Sequence, residues 1–371
     1  MKKIVSFILI IMVAVSAVSM TACNSGSDES SINARAEYTR EFAGTTLNVF
    51  NWGEYISDGI EGTLNVNKEF EKLTGIHVNY NTYDSNESMY AKLKSGAVSY
   101  DIVIPSDYMI ERMISEGMLQ PLDLSKITNY DLIADEYKNL FFDPENRYSV
   151  PYNVGMVGLI YNTTMVDGDP DSWEILWDES YTDDILMFDN PRDAFAIAQF
   201  LLGIDLNTTD KADWDRAADK LIEQNKIIQG RVMDQVFEKM EGGNAAIAPY
   251  YAGDYLTMSE NNEDLAFVYP KEGTNIFCDS ICVPSNASNY AAAMLYINFL
   301  LEPDVALANA EYICYASPNT SVFTNPDYSY YEDEILYPTE ENMPKTEYFH
   351  DIDPEIRSYY EKLWEKVILT Q

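Results

Sequence analysis

The sequence predicts an α/β protein of two domains with a ligand cleft between them. Three observations carry this. Strand-like and helix-like segments alternate at the spacing of a parallel sheet, about 320 residues follow the leader and tether, and polar and aromatic residues gather directly after the strand-like segments. A body of that length exceeds what one hydrophobic core usually holds, so two domains are the default. Ligands of parallel α/β sheets bind in the crevice beyond the carboxyl ends of the strands, which is where the polar and aromatic residues fall.

The chain begins MKKIVSFILIIMVAVSAVSMTAC. Lys2 and Lys3 form a basic head, and residues 4–18 an apolar core of about fifteen residues, the length of a signal peptide and short for a spanning helix. Met20-Thr21-Ala22-Cys23 resembles a bacterial lipobox, with Met20 in place of the usual leucine. Residues 1–22 are therefore expected to be a lipoprotein signal peptide and Cys23 a lipidated N-terminus, which places the protein outside the cytoplasm, anchored to the cell membrane. An ordinary secretory signal with an incidental cysteine is the plainer alternative. Residues 23–44 are polar, rich in Ser, Asn and charge, and read as a flexible tether.

The body opens with a strand over residues 45–51 (TTLNVFN) and a helix over 66–74 that Gly75 stops. Residues 76–83 alternate like a second strand. A helix follows in SNESMYAKLKSG, with Ser85 or Asn86 as cap and Gly96 at its end. YDIVI is a third strand, after which Ser106 caps a helix through MIERMISEGM. Trp52-Gly53-Glu54-Tyr55 follows the first strand, Asp84-Ser85-Asn86 the second and Pro105-Ser106-Asp107-Tyr108 the third.

A second unit starts near Gly155. VGLIYNTT and ILMFDN read as strands, AFAIAQFLLG and WDRAADKLIEQNK as helices, and NAAIAPYYAGDY as a strand running into a turn. Residues 290–312 are helical and broken at Pro303, and the tail EIRSYYEKLWEKVIL is an amphipathic helix.

Composition excludes several functions. The net charge is −37, and loss of Lys2 and Lys3 makes the mature chain −39, with 22 basic against 61 acidic residues. Such a chain repels nucleic-acid phosphates and suits a cationic partner. No HExxH, G-x-S-x-G, Walker A loop or G-x-G-x-x-G occurs, so no enzyme, cofactor or metal site is expected. Of the two histidines, His77 falls inside a strand and reads as structural. Cys278, Cys282 and Cys314 match no zinc pattern and read as core residues, with a Cys282–Cys314 bridge left open.

From LNVFNWGEY through SNESMYAKLKSG, YDIVIPSDY, NRYSVPYNVG, YPKEGTNIFCDSICVPSNA and INFLLEPDVA to YASPNT, the chain resembles the periplasmic spermidine- and putrescine-binding proteins of polyamine ABC transporters. The resemblance runs from about residue 47 to 366 in one order. It implies a type II periplasmic-binding-protein fold: domain 1 over residues 45–155 and 278–322, domain 2 over 156–277 and 323–371, and hinge crossovers between them. It also implies a monomer that closes on putrescine or spermidine and is recognised by a membrane permease.

The resemblance places the ligand-binding residues. The first aromatic wall falls on Trp52, with Glu54 and Tyr55 beside it, and a serine–tyrosine pair on Ser106 and Tyr108. Asp193 keeps one carboxylate of the second domain, whereas Asn190 stands where spermidine-type proteins have an aspartate. Tyr251 replaces a tryptophan, and Asp254 matches an aspartate of the putrescine type. Phe277 replaces a second tryptophan, Asp279 and Tyr315 are retained, and Phe349 falls where the family has a glutamine. Arg192 is the one cation among these segments and is expected to point away.

The chemistry fits a polyamine. Carboxylates must meet each buried ammonium, and aromatic faces cover the methylenes between them. Loss of an acid at Asn190 and gain of one at Asp254 favour putrescine over spermidine. Taken singly, Trp52, Phe277 and Tyr315 also read as core aromatics, and Asp193 and Asp254 as solvated acids. The rival of another class is a carrier of ferric iron or another small cation, because Tyr250-Tyr251 is an adjacent tyrosine pair of the kind that holds iron.

Overall fold

The computed structural model describes residues 30–370. Cys23 and the leader lie outside the described residues. The first lobe opens with β1 (Thr46–Trp52), α1 (Val66–Thr74), β2 (His77–Tyr83), α2 (Asn86–Ser95), β3 (Ile102–Val103) and α3 (Asp107–Ser115). β4 (Ser149–Asn162) carries the chain to a second lobe of β5 (Ile185–Phe188), α4 (Pro191–Leu202), α5 (Lys211–Gln224), β6 (Ile228–Val232), α6 (Gln235–Glu241), β7 (Ile247–Tyr251), α7 (Ala252–Asn261) and β8 (Leu265–Val268). β9 (Thr274–Cys282) returns it to the first lobe, which α8 (Tyr290–Leu300), α9 (Pro303–Ile313) and α10 (Thr320–Phe323) complete. β10 (Thr346–Glu347) and α11 (Pro354–Leu369) close the chain in the second lobe.

Local chemistry sets several of these ends. The Asn65 side chain caps α1 by accepting from the Lys68 N–H, and Gly75 ends it in the left-handed conformation. Ser85 and Ser88 cap α2 reciprocally, and Gly96 ends that helix in the same way. Pro303, which lacks a donor N–H, separates α8 from α9 with a 73° bend.

The strands run in the order β2-β1-β3-β9-β4-β7-β5-β6, with β8 beside β4 and β10 beside β9. β1 is parallel to β2 and β3, and β5 is parallel to β6 and β7, as the alternation predicts. The middle differs from an all-parallel sheet. β4 and β9 run antiparallel, from Ser149 opposite Cys282 to Met156 opposite Ile276, with a register shift between Pro151 and Asn153. Both strands reach into the two lobes, because β9 also pairs with β3 and the far half of β4 with β7. They are the crossovers about which the lobes can bend.

Each lobe has its own core. Trp173, Phe188, Phe195 and Trp214 anchor the second, where α11 packs Tyr360 against Trp214 at 5.0 Å. In the first, one cluster holds Phe70, Tyr296 and Phe299, and another holds Phe50, Met89 and Met113. Cys278, Cys282 and Cys314 are free, buried thiols in the latter cluster. His77 opens β2 with its Nδ1 2.6 Å from Glu71 Oε1.

Three segments differ from the sequence reading. Residues 30–44, expected in the tether, are fastened to the first lobe. Ser30 and Ser31 donate to Glu69, and Arg35, Ala36 and Tyr38 donate to the fully buried Glu302. A buried carboxylate needs such donors, and composition cannot show a partner 260 residues away. Residues 324–337, expected with the second domain, pack on α9 through Tyr328, and Tyr337 Oη accepts from the Ser317 N–H at 2.9 Å. The segment after Tyr251 is helical rather than a turn. Gly253 serves close approach there: a Cβ would lie 2.3 Å from the Tyr315 ring.

Candidate functional site

One cavity of about 510 Å³ lies between the lobes, and all twelve predicted ligand-binding residues line it. Trp52 ends β1 and Glu54 and Tyr55 follow it, with Glu54 in the left-handed region at φ 50°. Ser106 and Tyr108 start α3, Asn190 and Asp193 start α4, and Tyr251 and Asp254 span the β7–α7 junction. Phe277 and Asp279 lie on β9, two residues apart and hence on one face of the strand. Tyr315 follows α9. Gly155 sits opposite Phe277 across the crossover ladder, and a Cβ there would fall 2.3 Å from the ring. The glycine leaves room for the aromatic face.

Three carboxylates of the wall are each tied to a phenol. Tyr55 Oη donates to Asp279 Oδ2 at 2.6 Å, Tyr251 Oη to Asp193 Oδ2 at 2.8 Å, and Tyr315 Oη to Asp254 Oδ2 at 3.1 Å. The last bond joins the two lobes. The rings form a continuous surface, with Tyr251 to Phe277 at 5.6 Å, Phe277 to Tyr315 at 6.2 Å and Tyr315 to Tyr55 at 5.5 Å. Trp52 stands against Tyr83 at 4.7 Å, with its Nε1 donating to the Ile104 carbonyl.

Burial dominates the electrostatics. It lifts Asp193 and Asp254 to about 7 each and Asp279 to about 6, against the downward pull of the hydroxyls that bond them. Asp234 adds to the rise at Asp254, and Glu87 to that at Asp193. Asp279 Oδ1 is buried without a hydrogen-bond partner. A cavity in this state is short of positive charge: a cation entering it would ionise the acids and supply the missing donor.

Asn190 is occupied internally. Its Oδ1 caps α4 by accepting from the Arg192 N–H at 3.0 Å, and its Nδ2 donates to Asp193 Oδ2 at 2.8 Å. Arg192 also reaches the wall, yet its Nη2 turns to Asn207 Oδ1 at 2.9 Å and the His350 carbonyl at 3.4 Å. Phe349 lies under that guanidinium, 4.5 Å from the ring centre.

The wall also contains groups absent from the predicted set, among them Tyr83, Asp84, Asn86, Asp107, Asp234 and Tyr250. Asp84, Asn86 and Asp107 follow β2 and β3, so the strand-end rule alone marks them. Asp107 is fully buried, accepts from the Tyr108 and Cys278 N–H groups, and is pushed well above the usual carboxylate range by burial. Asp234 follows β6, a strand whose sequence IQGRV has too little apolar alternation to predict.

The profile of the bacterial extracellular solute-binding proteins matches residues 99–332. The spermidine/putrescine-binding periplasmic protein of Salmonella typhimurium is 36% identical over 328 residues, covering 87% of this chain and 91% of the relative. The putrescine-binding periplasmic protein PotF of Escherichia coli is 29% identical over 342 residues, covering 87% and 91%. The crystal structure of the spermidine/putrescine transporter substrate-binding protein PotD of Streptococcus pneumoniae matches with a TM-score of 0.73 and 37% identity, over 88% of this chain and 99% of that one.

Proposed function

Because the chain belongs to the bacterial extracellular solute-binding proteins, in their spermidine/putrescine-binding branch, we propose that it captures a polyamine outside the cytoplasm and delivers it to an ABC importer. The observation that carries this is the cavity between the lobes, where three phenol-bound carboxylates stand beside an aromatic surface. Each acid can meet an ammonium group, and the rings cover the methylenes with roughly 0.5–2 kcal/mol of cation–π attraction apiece. Cargo touches both lobes, so it stabilises the closed state by its differential affinity, with β4 and β9 as hinges. Lipidation at Cys23, implied by the leader, would hold the carrier at the membrane surface, where it works as a monomer.

Putrescine is the preferred cargo in this reading. Asn190 uses its amide on the α4 cap and on Asp193 and adds no further carboxylate for spermidine's extra ammonium, whereas Asp254 faces the cavity. Calorimetry on the mature chain at moderate salt tests the proposal: putrescine binds at micromolar affinity or tighter, about −8 kcal/mol or better, and ahead of spermidine. The reverse order sinks the preference, and no binding of either sinks the cargo class. Asp254→Ala and Asp279→Ala should each cost about 2–5 kcal/mol, the range for stranding a buried charge; losses below about tenfold tell against these assignments.

A further inference from the structure

Arg192 poses a question that cargo binding does not answer, since a fixed guanidinium in a cation-binding cavity should repel the cargo. It is 3% exposed, with Nη2 held by Asn207 and the His350 carbonyl, while its Nε has no hydrogen-bond partner. One face lies 4.5 Å above Phe349 of its own lobe, and 5.8 Å away is the ring of Tyr108, which belongs to the first lobe. Tyr108 meets Phe349 edge-on at 5.9 Å and donates its hydroxyl to Glu87 Oε1 at 3.0 Å. Asn86 holds the same hydroxyl from the side at 3.2 Å.

Opening the cleft would carry Tyr108 and Glu87 away from Arg192 and Phe349, while the hydrogen bonds of Arg192 to Asn207 and His350, and of Tyr108 to Glu87 and Asn86, each stay within one lobe. The positive charge therefore finds first-lobe acids only when the lobes are together. Burial raises the Glu87 and Asp107 carboxyls, and Arg192 offsets part of that rise in both. We propose that Arg192 and Phe349 of the second lobe, with Tyr108 and Glu87 of the first, form a clasp that stabilises the closed cleft independently of cargo and lengthens cargo residence. Arg192 is thus a positioning residue of closure, with no contact to the cargo required. The effect on residence rests on the polyamine-carrier reading; the effect on closure does not.

The test uses the mature chain, Arg192→Met and Glu87→Gln, alone and combined. Stopped-flow measurement should show dissociation of putrescine and of spermidine about tenfold faster in Arg192→Met, with association changed less than twofold. Glu87→Gln acts from the other lobe and should show the same pattern, which keeps the test open if Arg192→Met folds poorly. The combined variant should lose less than the product of the two, because both cut one contact. Without cargo, X-ray scattering should report a larger radius for each variant than for the wild type. Unchanged dissociation, independent effects in the combined variant, or a tenfold gain in spermidine affinity would overturn the clasp. If the wild type binds neither polyamine, the carrier reading fails, and unchanged scattering of the cargo-free variants would then overturn the clasp by itself.

Discussion

Lowering the pH from 8 to 6 should weaken polyamine binding about two-hundredfold. In the cargo-free cavity burial holds Asp193 and Asp254 at about 7 and Asp279 at about 6. An ammonium group needs the ionised acids, so each group protonated in the free protein must release its proton on binding. At pH 8 a group titrating at about 7 is roughly nine-tenths ionised; at pH 6 it is roughly nine-tenths protonated. Each such group then weakens binding about tenfold, near 1.4 kcal/mol, and Asp279 adds about twofold. The amines of the cargo stay charged throughout, as lysine does. Calorimetry at pH 6 in two buffers of different ionisation enthalpy should reveal release of about two protons per cargo. No proton release, with affinities equal within threefold at pH 6 and pH 8, would show that the acids are already ionised in the empty cavity and would refute the reasoning.

The same groups govern stability. Carboxyls titrating at about 7 when folded and about 3.9 when unfolded bind protons more tightly in the native state, so the cargo-free protein should melt at lower temperature as pH rises from about 4 through about 7. Saturating putrescine should remove or reverse that fall, measured by thermal scans across the range. Asn190→Asp adds a carboxylate at the position that now donates to Asp193, and competition binding should shift toward spermidine by about tenfold; a shift toward putrescine would contradict the proposed role. Gly155→Ala drives a methyl group into the Phe277 ring, and denaturant unfolding should show a loss of about 1–3 kcal/mol together with weaker binding of both polyamines.

What the sequence made legible follows the range of the interactions involved. α2 was bounded on both sides because Ser85 and Gly96 act on the helix next to them. The strand-end residues of β1 and β3 were placed by a rule that needs only the order of elements. Two kinds of feature escaped a local reading. The crossovers came with the resemblance alone, because they depend on pairing between residues about 130 apart, such as Ser149 and Cys282, and nothing local marks a strand that serves both lobes. Acids recruited by distant burial, such as Asp234 and Glu302, look like any others in a chain with 61 of them. The departures at Asn190 and Tyr251 could be read as substitutions, but their partners could not. In the folded chain both donate hydrogen bonds to Asp193.

Phe277 and Asp279 lie on β9, one of the two strands that flex when the lobes move. For protein engineering this divides the wall into two classes of position. Changing Asn190, which projects from a helix start and bonds only within its own lobe, should retune the choice of cargo with little effect on the signal of closure. Changing Phe277, Asp279 or Gly155 alters recognition and flexure together, so a fluorescent biosensor built on this chain would lose dynamic range there even when affinity was kept. Libraries for new diamines belong at Asn190, with the crossover ribbon left as it is.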